Sequence, residues 1–394
     1  MRFLITGAAL LLTATFAQAE GKLYVKCGGS FSSFVNKMKK EAVSQGHSQS
    51  AADRFFAAAS YSDRVIKADR RQGIFKTDFI SFSRKLISQN RINRGRSSSQ
   101  KYNSIFTAIE RQLGVPRGIL LSFWAFETDY GAFQGDFNTL DALMTLSHDC
   151  RRPALFQPQV FAALELFERG DFSTNTQGAW AGEIGMVQML PKDIRERGLD
   201  GDGDGKVSLK TSPADALFSG ANMLRGFGWR PGEPWMQEIV VPANLPWEDT
   251  GIGQSKPVSE WARLGVKPRS GSFEGANLRA SVLLPMGRKG PAFFAYPNYN
   301  ALFEWNQSFV YVATAAYFAT RLQGANVYDP GNPDQPLSDG QMKALQTKLA
   351  KRGYDVGKID GILGAGTRAA VQAEQKRLGL PADAWPTREL LNAL

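Results

Sequence analysis

At 394 residues and 43% hydrophobic content, the chain can bury the cores of two or more compact units, which excludes a disordered or fibrous class. Its formal charge of +10 suits an anionic polymer, but no clustered basic and aromatic stripe marks a nucleic-acid surface. Two histidines, His47 and His148, and two cysteines cannot close a zinc site of ordinary spacing, so zinc chemistry is not expected.

The first residues read Met1, Arg2, an apolar run from Phe3 to Phe16, then Ala17-Gln18-Ala19 before Glu20, the layout of a secretory signal peptide. The apolar run is shorter than the roughly 20 residues of a spanning helix. Cleavage after Ala19 and export are therefore expected, with no membrane span in the mature chain. An oxidising compartment would let Cys27 pair with Cys150 and tie the N-terminal arm to the core.

Phe31 to Gln45 and Ala51 to Tyr61 read as amphipathic helices, and Ile105 to Leu113 repeats apolar positions at helical spacing. Gly114-Val115-Pro116 breaks the pattern and leads into Ile119 to Glu127, a helix apolar on every side that belongs in a core. His148 sits in the run Ser147-His148-Asp149, but members of a catalytic triad converge in space and are rarely consecutive, so it is read as structural. Ser308 to Leu322 is a further core helix. From Gly324 to Leu337 proline and glycine exclude helix and strand, which marks residues 326–336 as a linker.

The tail, Leu337 to Leu394, places helices near Asp339 to Arg352, Gly366 to Leu378 and Thr387 to Leu394. Met342, Leu345 and Leu349, with Leu390, Leu391 and Leu394, supply a small apolar centre. The fold class is mainly α: a large helical domain with small β elements over residues 20–325, and a three-helix module over residues 337–394.

Glu127 is the most informative residue. It ends an all-apolar helix and is followed at once by Thr128-Asp129-Tyr130-Gly131. An isolated buried carboxylate is costly, and desolvation by neighbours such as Trp124 and Phe126 would keep it protonated near neutral pH, able to give a proton to a leaving oxygen. Spacing alone favours a structural glutamate at a helix exit, paired with an arginine.

The string FWAFETDYG resembles the catalytic signature of the B-type lytic murein transglycosylases. GAWAGEIGMVQMLP at Gly178 to Pro191, DGDGDGKVSLKTSPADALFSGANML with Gly228-Trp229, and LLPMGRKGPAFFAYPNYNALFEWNQSFVY resemble that family's other motifs in order, across most of residues 21–325. The resemblance implies a lysozyme-like helical domain and a periplasmic enzyme acting on peptidoglycan glycan strands, alongside other cell-wall enzymes as partners. Glu127 would be first acid and then base, forming a 1,6-anhydro sugar without consuming water. It implies substrate contacts for Gln188, Asn306 and Tyr311, and for Trp305 and Met223, which stand where tyrosine is common. Ala179 replaces a frequent serine. Asp129, the nearest carboxylate in sequence, is read as structural. A lysozyme-type hydrolase and a non-catalytic wall-binding protein are the alternatives.

Asp200, Asp202, Asp204, Gly205 and Ser208 fit positions 1, 3, 5, 6 and 9 of a calcium loop, while Thr211 replaces the glutamate of position 12. The resemblance implies that Asp215 closes the site around a structural calcium; an acidic turn capping the next helix is the other reading. The reaction itself requires no cofactor. The tail string LQTKLAKRGYDVGKIDGILGAGTRAAVQAEQKRLGL resembles the common peptidoglycan-binding domain, which would hold the enzyme on its polymer through a short flexible tether, with a helix capped near Thr367.

Overall fold

The computed structural model describes residues 23–71 and 77–394; the segment expected to be a signal peptide lies outside the described residues. Among the described residues the chain forms seventeen α-helices and seven short strands, and it divides into two compact units, residues 23–71 with 97–226 and residues 77–96 with 227–394. The mainly α expectation is met.

The first unit is helical because its apolar residues recur at helical spacing behind well-capped starts. Ser30 accepts the amide of Ser33 to open helix Phe31–Ser44, and Ser48 accepts that of Ala51 to open Gln49–Ala57. Helix Arg117–Thr128 is central, and of its residues only Arg117 and Glu127 are not buried. Helices Asn103–Leu113 and Pro213–Gly226 pack on it, while helices Thr139–His148 and Pro153–Arg169 pack on each other. Strand β1 (Phe137–Asn138) pairs antiparallel with β2 (Gln177–Gly178).

The expected disulfide joins Cys27 to Cys150, with their Cα atoms 5.4 Å apart. His148 is part of the same tie: its backbone oxygen accepts the amide of Gly28, its ring Nε2 meets Gly29 O at 3.0 Å, and its ring packs edge-on against Phe31 and Phe34. Beside it, buried Asp69 is clasped by Arg70, Arg151 and Arg152.

The second unit holds a five-stranded antiparallel sheet in the order β4-β6-β7-β3-β5, from β3 (Met236–Val240), β4 (Ser255–Pro257), β5 (Lys267–Pro268), β6 (Arg279–Leu283) and β7 (Ala292–Ala295). Phe294 enters an apolar cluster with Ile239, Trp261 and Val282. Phe293, one residue back and so on the opposite face, meets Phe79, Tyr317 and Tyr328.

The linker corrects an expectation. Its proline and glycine do exclude helix and strand, but the segment is pinned rather than free. Tyr328 is 5% exposed, its hydroxyl bonds Ser83 and its amide donates to the Tyr317 hydroxyl. Asp329 pairs with Arg269, Asn332 N donates to Lys289 O, and Asp334 pairs with Lys289. The tail is fixed to its own unit as well. Arg368 lies 4.3 Å over the Phe309 ring and donates to Pro285 O, with burial lowering its guanidinium to about 10. Gln372 donates to Trp247 O and Thr250 O, and Trp385 Nε1 donates to Asp334 O. The guanidinium also lies 5.9 Å from the centre of the Trp385 ring, and an arginine held between two rings is an anchor, so the flexible tether does not hold. Helix Ala365–Arg377 also starts earlier than expected, after Gly364. Thr367 lies inside it, 1% exposed, with its hydroxyl donating to Val356 O.

Candidate active site

Helix Arg117–Thr128 ends in a sharply wound cap. The amide of Tyr130 donates to Trp124 O and that of Asp129 to Ala125 O, so the last turn is closed by bonds that reach six and four residues back. Asp129 and Tyr130 both adopt left-handed backbone, φ 51 and 59, followed by Gly131 at φ 83. Two consecutive non-glycine residues there store strain that surrounding packing must hold. The effect is local: the chain turns away immediately after Glu127, leaving that carboxyl half-buried at the edge of a helix whose other faces are in the core. Trp124, one turn earlier, stacks edge-on with Tyr130, ring centroids 5.9 Å apart.

Residues 178–189 form a buried double turn facing this helix end. Ala179 N donates to Glu183 O, and Ile184 and Met189 exchange both amide bonds. Thr128, next to Glu127, donates its hydroxyl to Met186 O at 2.6 Å, locking turn and helix end together. The fit demands glycine at Gly135, where an added Cβ would lie 2.0 Å from Gly178 O, and at Gly182, which has φ 91 and abuts Leu143.

Inside this turn is a residue the sequence reading passed over. Glu183 is 4% exposed, and neither carboxylate oxygen has a hydrogen-bond partner among the described residues. Burial above all, with the charge of Glu127 adding to it, pushes its carboxyl up to about 8 against the opposing pulls of its own backbone amide and of Arg152. The signal was present in the sequence: a lone glutamate in the apolar and glycine-rich string GAWAGEIGMV is as conspicuous as Glu127 in its own helix.

Gln188 lies in the same turn with left-handed backbone, φ 53, and its side-chain amide donates to Gly185 O at 2.7 Å. Met223 is buried in helix Pro213–Gly226. Asn306, Trp305 and Tyr311 belong to the second unit. Trp305 closes helix Pro297–Trp305, Asn306 accepts the amide of Ser308, and Tyr311 is 0% exposed, which leaves it no surface of its own to offer a ligand.

The acidic loop brings Asp200, Asp202 and Asp204 together, with carboxylate oxygens within 4.8 Å of one another. Amides of Gly203, Asp204 and Gly205 point at Asp200, and that of Gly205 above all holds its carboxyl below the ordinary range. Such a set of hard oxygen donors suits a calcium ion. Ser208 bonds Thr211 through their hydroxyls, and buried Asp215 accepts the amides of Gly201 and Ser208, so it fastens the two ends of the loop.

The chain matches the family model of the transglycosylase SLT domain over residues 30–320 and that of a peptidoglycan binding domain over residues 338–394. The crystal structure of SltB3 from Pseudomonas aeruginosa in complex with NAG-anhNAM-pentapeptide is 33% identical, covers 93% of this chain and 99% of that one, and has a TM-score of 0.85. The Escherichia coli membrane-bound lytic murein transglycosylase B is 27% identical over 236 residues, 58% of this chain, and the match spans 63% of that relative's length. The fold is shared with the Escherichia coli lytic transglycosylase SLT35, solved in complex with calcium, at TM-score 0.64 and 24% identity over 76% of this chain and 96% of that one. The chain belongs to the transglycosylase SLT domain family, among the B-type lytic transglycosylases that carry a C-terminal peptidoglycan-binding domain.

Proposed function

We propose that the chain is a peptidoglycan lytic transglycosylase in which Glu127 is the single catalytic acid and base. Glu127 gives its proton to the oxygen linking N-acetylmuramic acid to N-acetylglucosamine, and the bond from that oxygen to the anomeric carbon breaks. The muramic acid 6-hydroxyl then bonds to the anomeric carbon while its proton passes to the Glu127 carboxylate. Atoms balance without water, and the glutamic acid is regenerated.

The observation that carries this reading is the placement of one half-buried carboxyl at the strained end of an otherwise buried helix. Hydrolysis of lysozyme type uses a second carboxylate as nucleophile or as base for water. Glu183 is a poor candidate for either task, because its buried carboxyl keeps its proton up to about 8. Asp129 occupies the left-handed cap.

On this reading residues 20–325 are catalytic, 326–336 connect, and 337–394 hold the enzyme on its polymer, with peptidoglycan strands as the partner. Gln188, Met223, Asn306, Trp305 and Tyr311 are the residues proposed to serve the sugar, Tyr311 acting through its neighbours. Asp200, Asp202 and Asp204 would hold a structural calcium ion, in a loop fastened by Asp215 and Ser208. Work on cell-wall polymer supports a periplasmic location; no helix among the described residues is long and apolar enough to cross a membrane.

Glu127→Gln keeps the shape and removes the transferable proton. Clearance of a murein suspension should fall by about a thousandfold, in the range expected for a general acid–base, with an unchanged melting curve. Equal clearance by variant and wild type would overturn the reading.

A further inference from the structure

Glu183 has no part in the chemistry described above, yet the first unit goes to some length to hold it. Its backbone oxygen closes the turn by accepting Ala179 N at 2.8 Å, and the turn is clamped through Met186 O to Thr128, the residue beside Glu127. Both carboxylate oxygens are buried without a hydrogen-bond partner among the described residues. Charged groups face it from two elements: Glu127 on helix Arg117–Thr128, and Arg152 at the start of helix Pro153–Arg169. Arg152 is already bonded to Asp69, and its attraction for Glu183 is smaller than the repulsion from Glu127.

A buried carboxyl that receives no hydrogen bond from another residue is most stable while uncharged. We propose that Glu183 is a positioning residue for the reaction, an uncharged carboxyl facing Glu127 that must keep its proton for Glu127 to act, so that proton donation leaves a single negative charge in the site. The inference rests on Glu127 being the acid.

Two carboxyls that interact across a buried site release their protons in two steps belonging to the pair. Cleavage that requires both protons makes log kcat/KM fall with unit slope above the first step. Above the second step, near pH 8, the slope becomes two.

The test is the pH profile of kcat/KM for the full chain on soluble glycan strands, comparing wild type with Glu183→Gln, which keeps the shape but cannot ionise. Below about pH 7 the two should agree within roughly threefold. Above pH 8 the variant should hold unit slope, and near pH 9 it should exceed wild type by about tenfold. Profiles of the same shape, superposed or displaced by a constant factor, would overturn the inference. Where Glu183→Gln does not fold, wild-type protein carrying 13C at its glutamate carboxyl carbons gives the answer directly: a resonance titrating near pH 8 supports the inference, and none moving above pH 7 overturns it. Glu127→Gln separates the two readings. Turnover by that variant removes the catalytic role of Glu127, whereas an inactive Glu127→Gln with superposed wild-type and Glu183→Gln profiles removes only the role given to Glu183.

Discussion

Asp69 and Glu183 are carboxylates of nearly equal burial, 1% and 4% exposed, set in opposite surroundings. Around Asp69 the chain gathers Arg70, Arg151 and Arg152, next to the disulfide that ties down the N-terminal arm. Around Glu183 no other described residue donates a hydrogen bond, and the like charge of Glu127 acts on it. The first arrangement surrounds a carboxylate with cations, and the second favours a neutral acid. The difference separates a carboxylate that fastens structure from one placed to keep its proton beside the proposed acid.

The contrast can be broken from either side. The larger effect is expected at Glu183, whose folded carboxyl ionises near 8 against an ordinary value of 4.5. Between those values the folded state binds more protons than the unfolded state, so this group's contribution to stability is full below 4.5 and is lost as pH rises through 8. Glu183→Gln removes that loss, and at pH 9 it should raise unfolding free energy over wild type by something on the order of 4 kcal/mol in urea titrations. At pH 4 the difference should be near zero. A variant no more stable at pH 9 than at pH 4, relative to wild type, would mean that Glu183 is solvated in the folded chain. The smaller effect is expected at Asp69. Asp69→Ala leaves three arginines facing one another and should cost about 3 kcal/mol at neutral pH. A loss under about 1 kcal/mol would show that the arginine cluster is not structural.

How far the sequence carries depends on whether a feature is written in local periodicity. Helix Arg117–Thr128 was legible because apolar residues fall on every side of it, and Glu127 because it interrupts them. The five-stranded sheet was not. β7 (Ala292–Ala295) is buried on both faces, so the alternation that marks a half-exposed strand is missing, and strands of two to five residues leave little pattern. The linker misled in a different way, since its composition correctly excluded regular structure while its fixity comes from Tyr328 inserting among Tyr317 and the more distant Phe79 and Phe293. Glu183 was missed although the reasoning that found Glu127 applies to it unchanged. Only the fold shows that its oxygens lack donors and that its charged neighbour is the proposed acid.

The central claim is that Glu127 works with the substrate's own hydroxyl in place of water. The most direct measurement is the mass of the soluble fragments that the full chain releases from purified murein. Muramic acid ends lighter by one water than a reducing sugar, and absent from a Glu127→Gln digest, are the predicted result. Fragments ending in ordinary reducing sugars would contradict it.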